Sequence, residues 1–179
     1  MFQEISHILL TEEQIQTRVK ELAAQLSKEY EGKNPIFVGV LKGVVMFYAD
    51  FVKNFEGYCQ MDFMWISSYS GTNSSGMIVR QDLSQNIKGR HVVILEDIFD
   101  TGNSLDFTYK HLLSKGAASV KICTLLDKPE RRKEGITLQA DYTGFVIPNE
   151  FVVGYGLDFN EHFRNLPYVA VLKPEAYEK

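Results

Sequence analysis

Glu96, Asp97 and Asp100 close the apolar run Val92-Val93-Ile94-Leu95, and Thr101-Gly102-Asn103-Ser104 follows them directly. Ionised carboxylates only accept hydrogen bonds, so they suit the hydroxyls of a sugar or the oxygen-seeking cation Mg²⁺. Gly102 allows a backbone with positive φ and close approach of a ligand. At the start of a helix, several N–H groups then converge on one concavity that favours an anion, and the Thr101 and Ser104 hydroxyls add donors. An acidic rim repels phosphate unless a cation reverses the local field. The set therefore fits a metal-bound sugar phosphate. Taken singly, the acids also fit a solvated strand end, and the glycine turn fits a plain helix cap. Regular strand geometry sends Glu96 and Asp97 to opposite sides, so they are expected to serve different partners.

The elements around this run alternate. Thr11 and Gln14 form a capping-box pair ahead of a helix on which Ile15, Val19, Leu22 and Leu26 recur, with Gly32 as its stop. Pro35 to Leu41 reads as a strand buried on both faces. Lys42-Gly43 turns it into a second helix, with Val45, Tyr48, Phe51, Val52 and Phe55 as the apolar face. A long strand follows from Tyr58 to Ser67 and a short one from Met77 to Val79. His91 to Leu95 is a buried strand, Ser104 to about Ser114 a helix with Gly116 at its end, and Ser119 to Leu126 another strand. This alternation predicts an α/β fold with a mostly parallel sheet, whose ligands bind beyond the carboxyl ends of the strands. Leu41 to Gly43, Glu96 to Ser104 and Asp127-Lys128 then share one rim. The small polar stretch from Ser67 to Gly76 predicts a mobile loop able to close over that rim, with Tyr69 as its bulky residue. Gly144 to Ile147, Phe151 to Gly154 and Tyr168 to Leu172 are short pieces that form a small hood or return to the main sheet.

A chain of 179 residues makes one domain the default. Its net charge of −4 argues against a nucleic-acid or membrane-surface partner. Cys59 and Cys123 lie in strands and outside any Cys-x-x-Cys pair, which predicts two buried thiols in a reducing compartment. His7, His91, His111 and His162 are scattered, which disfavours a Cys/His metal centre. There is no leader-like N-terminus and no apolar run near the ~18–20 residues of a membrane span, so a cytoplasmic protein is expected.

Glu96-Asp97-Ile98-Phe99-Asp100-Thr101-Gly102-Asn103-Ser104 resembles the phosphoribosyl-diphosphate signature of the type I phosphoribosyltransferases, and most closely their hypoxanthine-guanine branch. Leu41-Lys42-Gly43 resembles the family's diphosphate loop, in which a cis peptide often precedes the lysine. Ser68-Tyr69 resembles the start of its closing loop. Leu125-Leu126-Asp127-Lys128 resembles the segment whose lysine binds the exocyclic oxygen at purine C6. Phe151-Val152-Val153-Gly154-Tyr155-Gly156-Leu157-Asp158 resembles the hood segment, and Arg164 matches a diphosphate-binding arginine. The likeness runs in order from about Val38 to Arg164. Asn103 departs from members with lysine in the phosphate loop, which leaves more of the 5′-phosphate site to backbone amides.

The resemblance implies a mostly parallel twisted sheet flanked by helices, in one domain over residues 1–179. A small hood would come from the N-terminal segment and roughly residues 128–165. It implies phosphoribosyl transfer from 5-phosphoribosyl 1-diphosphate to N9 of hypoxanthine or guanine, with Mg²⁺ at Glu96, Asp97 and Asp158. Glu96 and Asp97 would hold the ribose hydroxyls, Thr101, Gly102, Asn103 and Ser104 the 5′-phosphate, and Lys42, Gly43 and Arg164 the diphosphate. Asp100 would act at purine N7 as general base, Lys128 would select the 6-oxo group, Phe151 would stack on the base and Val152 would present backbone to the C2 edge. A homodimer or homotetramer is implied, and Tyr48, Phe51 and Phe55 of the second helix suit a subunit interface as well as the sheet. Regulators of the same fold that act on nucleic acid need a basic surface or an added domain, neither of which this acidic chain has room for. A xanthine-preferring transferase is the nearer alternative.

Overall fold

In a computed structural model, which describes residues 2–68 and 76–178, six strands form the main sheet. In chain order the first elements are β1 (Ile5–Leu10), α1 (Glu12–Glu29), β2 (Ile36–Leu41), α2 (Val45–Asn54), β3 (Gln60–Ser68) and β4 (Met77–Gln81). Then come β5 (His91–Phe99), α3 (Asn103–Ser114), β6 (Ser119–Asp127), a single 3₁₀ turn (Pro129–Arg131), β7 (Tyr142–Val146), β8 (Val152–Val153), β9 (Val169–Leu172) and the short α4 (Pro174–Tyr177). The main sheet runs β4-β3-β2-β5-β6-β7, all parallel except the β3–β4 pair. This is the expected α/β architecture.

The near-continuous apolar strands have a direct cause. Phe37, Val93, Leu95 and Cys123 pack with α1 and α2 on one face. Ile36, Val38, Ile94 and Ile122 pack with Leu105 and Leu112 of α3 on the other. Both faces of β2, β5 and β6 are covered, so alternation disappears. Cys123 is buried, Cys59 is half-buried, and both are free thiols.

The helices follow their sequence signals in most details. Thr11 Oγ1 accepts from the Gln14 amide while the Gln14 side chain accepts from the Thr11 amide, closing the capping box of α1. The apolar face assigned to α2 needs correction. Tyr48, Phe51 and Phe55 are buried against the sheet, so they are not open to a partner. Val45 is 43% exposed, and Phe47 takes the inward position instead. Val44 to Phe47 are apolar in succession, so periodicity alone could not choose among them.

A second sheet, β1-β9-β8, is antiparallel and stands apart from the first. Ile5, Val153, Leu166, Ala170 and Leu172 form its own small core. Of the tail pieces, β7 joins the large sheet, and β8 and β9 join this small one. Ser68 ends β3 and is exposed, while Tyr69 and the remainder of the anticipated closing loop lie outside the described residues. No described helix is long and apolar enough to cross a membrane.

Candidate active site

A cavity of about 520 Å³ opens where β2, β5 and β6 end beneath the small sheet. Gly43, Glu96, Asp97, Asp100, Ser104, Lys128, Phe151, Val152, Asp158 and Arg164 all line it. A second hollow of about 80 Å³ shares Glu96, Asp100 and Ser104 and adds Thr101 and Gly102. Lys42 stands outside both, with Nζ 2.9 Å from Glu161 Oε2. Asn103 is exposed on the first turn of α3.

Strand β5 continues through the acids to Phe99. Its pairing with β2 stops at Leu95 although β2 runs on to Leu41, so Glu96 and Asp97 lie where the two strands have parted. Both therefore reach one cavity, contrary to the separate partners expected from simple alternation. Glu96 is buried and its Oε2 has no hydrogen-bond partner. Burial, with the charge of Asp97 added, pushes its pKa well above the usual carboxylate range. Asp97 is also raised by burial, although the Ile98 amide donates to it at 2.8 Å and Arg164 lies near. Two adjacent acids held this way, one buried and one half-buried, call for donors or a cation from outside the protein.

Gly43 explains how close the first loop comes. A Cβ there would sit 1.8 Å from Asp97 Oδ2. Gly156 is equally tight, since a Cβ would lie 1.9 Å from the Gly43 carbonyl oxygen. The Leu41–Lys42 peptide is cis. Arg164 donates to the Gly156 carbonyl at 2.7 Å and pairs with Asp158 at 2.9 Å, so one guanidinium fastens the hood segment beside the diphosphate-like loop.

The turn before α3 keeps its donors free. Gly102 has φ +88° and gives no side-chain cap to the helix. A Cβ at Gly102 would meet Ile136 and Phe99 side chains at 2.8 and 3.0 Å. The first amides of this helix thus border the small hollow without a protein acceptor from a capping side chain, which is a suitable anion cradle.

Lys128 is buried, and its Nζ donates to the Glu150 carbonyl at 2.5 Å. Burial lowers its pKa, and Asp100 opposes that shift. Asp100 pairs with Arg131 Nε at 3.0 Å. The sequence reading missed Arg131, the Glu150 carbonyl, Arg132 and Tyr177. Arg132 donates to the carbonyls of Phe99 and Asp100 and pairs with Asp127, joining the ends of β5 and β6. Its only sequence signal was a basic run after Lys128-Pro129, and backbone acceptors leave no signal.

Among the described residues, no three His, Cys, Asp or Glu side chains converge as a protein-only metal site. Asp158 is instead held by Arg164 and the Glu161 amide. The unpartnered Glu96 oxygen beside Asp97 still fits a cation of the Mg²⁺ kind, which takes one or two carboxylates and completes its shell with substrate oxygens and water.

Residues 7–160 match the family model described as phosphoribosyl transferase domain. The chain is 54% identical over 176 residues to a hypoxanthine-guanine phosphoribosyltransferase of Streptococcus pneumoniae, covering 97% of each. A hypoxanthine phosphoribosyltransferase structure from Staphylococcus aureus superposes with TM-score 0.93 at 47% identity, covering 98% of this chain and 96% of that one. The Trypanosoma cruzi hypoxanthine phosphoribosyltransferase in complex with the product IMP gives TM-score 0.92 at 38% identity, covering 99% of each. With acids, anion cradle and base-sized cavity in one place and relatives aligned over nearly their full length, the chain belongs to the phosphoribosyltransferase family, in its hypoxanthine-guanine branch.

Proposed function

We propose that the chain transfers the 5-phosphoribosyl group of 5-phosphoribosyl 1-diphosphate to N9 of hypoxanthine or guanine, giving IMP or GMP and diphosphate. The observation that carries this reading is the single cavity lined by Glu96, Asp97, Asp100, Lys128, Phe151 and Val152. A sugar site alone needs only the acids and the glycine turn. The buried lysine and the aromatic shelf add a place for a flat 6-oxo base.

The amides and hydroxyls of Thr101, Gly102, Asn103 and Ser104 hold the 5′-phosphate. Glu96 and Asp97 accept from the ribose hydroxyls. Lys42, the Gly43 backbone and Arg164 bind the diphosphate and stabilise the charge that grows on it as the bond to C1′ breaks. Mg²⁺, held by Glu96 and Asp97 with Asp158 nearby, would neutralise diphosphate charge when bound. The sugar carbon passes through an oxocarbenium-like state, by analogy with other glycosyl chemistry. N9 attacks that carbon, and Asp100 takes or shares the proton at N7. Lys128 donates to the C6 oxygen and rejects adenine, because a 6-amino group is itself a donor. Phe151 stacks on the base, and the Val152 backbone meets its C2 edge. Ser68 and Tyr69 match the start of the family's closing loop, of which Tyr69 lies outside the described residues.

The whole chain works as one catalytic unit, with the β1-β9-β8 sheet as its hood. It acts in the cytoplasm, a reading supported by two unpaired cysteines. Its working form is a homodimer or homotetramer, supported by the exposed Val45 and Met46 of α2.

A product assay tests the reading. The diphosphate sugar and Mg²⁺ are offered with adenine, hypoxanthine, guanine and xanthine in turn. IMP and GMP should form fastest. Faster formation of AMP or of the xanthine nucleotide would overturn the assignment.

A further inference from the structure

We propose that Tyr177 is a positioning residue for the purine, acting through Phe151. This inference rests on the function proposed above and names a part of the same site that the motif residues do not include.

The C-terminal turn α4 follows β9 and brings Tyr177 back to the cavity. Its ring stacks on Phe151, with centroids 4.9 Å apart and planes 25° from parallel. Phe159 meets Phe151 in a T-shaped contact at 5.6 Å. Tyr177 is anchored from behind, because it packs against the hood core of Ile5, Val153, Ala170 and Leu172. The backbone next to it is fixed as well: the Leu172 amide donates to the Phe151 carbonyl at 2.9 Å.

Phe151 nevertheless remains 38% exposed. In the proposed arrangement the base takes the face opposite Tyr177. Ile98 and Leu157 line the same cavity, so a flat base entering it meets apolar surface there as well as at Phe151. A phenylalanine free to turn about χ1 and χ2 loses rotamer freedom when a ligand stacks on it. Tyr177 removes that freedom in advance and continues the stack by one ring, which is pre-organisation of the shelf.

The test is steady-state kinetics on the full chain with Tyr177→Ala, Tyr177→Leu and Tyr177→Phe, varying base and diphosphate sugar separately. Leucine keeps the apolar filling of the hood but offers no ring face, so it separates stacking from folding. Tyr177→Ala and Tyr177→Leu should raise KM for hypoxanthine and guanine roughly 2- to 10-fold, the range of one aromatic pair. KM for the diphosphate sugar and kcat should move less than about 2-fold, and Tyr177→Phe should match the unaltered chain. Unchanged base KM in both Ala and Leu variants overturns the proposal and leaves the transferase reading intact. A lowered base KM also overturns it, since Tyr177 would then occupy the place of the base. Equal rises in both KM values assign Tyr177 to general hood integrity and reject the specific role. If the unaltered chain makes no nucleotide from any 6-oxopurine, the transferase reading falls and this inference falls with it.

Discussion

Asp100 sits at the end of β5, lines the cavity together with Lys128, and meets Arg131 at 3.0 Å. A general base contributes about 10²- to 10⁴-fold to rate. Asp100→Asn keeps the shape and removes the basic oxygen, so kcat with guanine should fall within that range while KM for guanine changes little. Near-normal turnover would remove Asp100 from the proton path. Glu96 supports a prediction of the opposite kind, on stability. Its carboxyl pKa is raised by burial and by Asp97, so the folded state binds the proton more tightly than the unfolded chain does. Its contribution to stability is full below the ordinary value near pH 4 and is lost as pH rises through the raised value. Glu96→Gln removes the buried charge. The unliganded variant should melt roughly 2–8 °C higher than the parent at pH 8, with no such gap at pH 4. A gap of the same size at both pH values would show that charge is not the cause. The acids were legible because they stand in a patterned strand-turn-helix run, whereas Lys128, Phe151 and Arg164 were reached only through the family resemblance; all of them line the one cavity. Arg131 and Tyr177 were not legible, because a basic residue in a loop or a tyrosine near an end has no pattern until folding supplies its neighbour.

At the scale of elements, the inner strands β2, β5 and β6 were read well because burial on both faces leaves unbroken apolar runs such as Val92 to Leu95, whereas β1 was not read at all. The first turn of α2 was read poorly because Val44 to Phe47 offer an apolar residue in every direction, and only the sheet decides that Phe47 turns inward. The joint between β5 and β6 was invisible because it is made by one side chain on backbone oxygens. Arg132 donates to the Phe99 carbonyl at 2.6 Å and to the Asp100 carbonyl, reaches the Lys128 carbonyl at 3.3 Å, and pairs with Asp127. Its guanidinium also lies over the Phe99 ring, 3.2 Å from the centroid. This single residue holds the backbones of Asp100 and Lys128 in register. Arg132→Ala leaves the Asp127 carboxylate and the Asp100 carbonyl without their donor, while the Phe99 and Lys128 carbonyls keep backbone amides, and this should cost about 2–4 kcal/mol. The urea midpoint should fall with the slope unchanged. Arg132→Lys should recover little of the loss, because an ammonium lacks the planar fork that reaches these acceptors together. Full recovery by lysine would mean that charge alone matters at the joint.

Across the whole molecule, the hood must stay in register with the large sheet, since base and diphosphate sugar are held from opposite sides. Two of the contacts that tie them bear on this register. Gly156 packs on the Gly43 carbonyl with no room for a side chain. Between the hood glycines, Tyr155 takes φ +50° and sends its hydroxyl to Asp50 Oδ2 at 2.7 Å. Gln16 of α1 donates to the same oxygen at 2.6 Å, and Lys53 of α2 pairs with Asp50 Oδ1 at 2.7 Å. Burial alone would raise the Asp50 pKa, but these donors outweigh it and hold the carboxyl ionised below its ordinary value. Asp50 thus joins α1, α2 and the hood at one point. The residues sit far apart in the chain, so no sequence window contains the tie. Tyr155→Phe keeps the buried ring and deletes one bond to a charged acceptor that retains its other donors, a loss of about 1–2 kcal/mol. The melting temperature should drop by roughly 2–8 °C. The kinetic signature should differ from that of a base-site change. Gly154 to Asp158 touch both the base shelf and the Gly43 loop, so KM for the base and for the diphosphate sugar should rise together. A rise confined to the base would mean that the hood pivots about Gly43 without disturbing it. Unchanged values for both, alongside the lower melting temperature, would make the Asp50 tie a purely structural fastening.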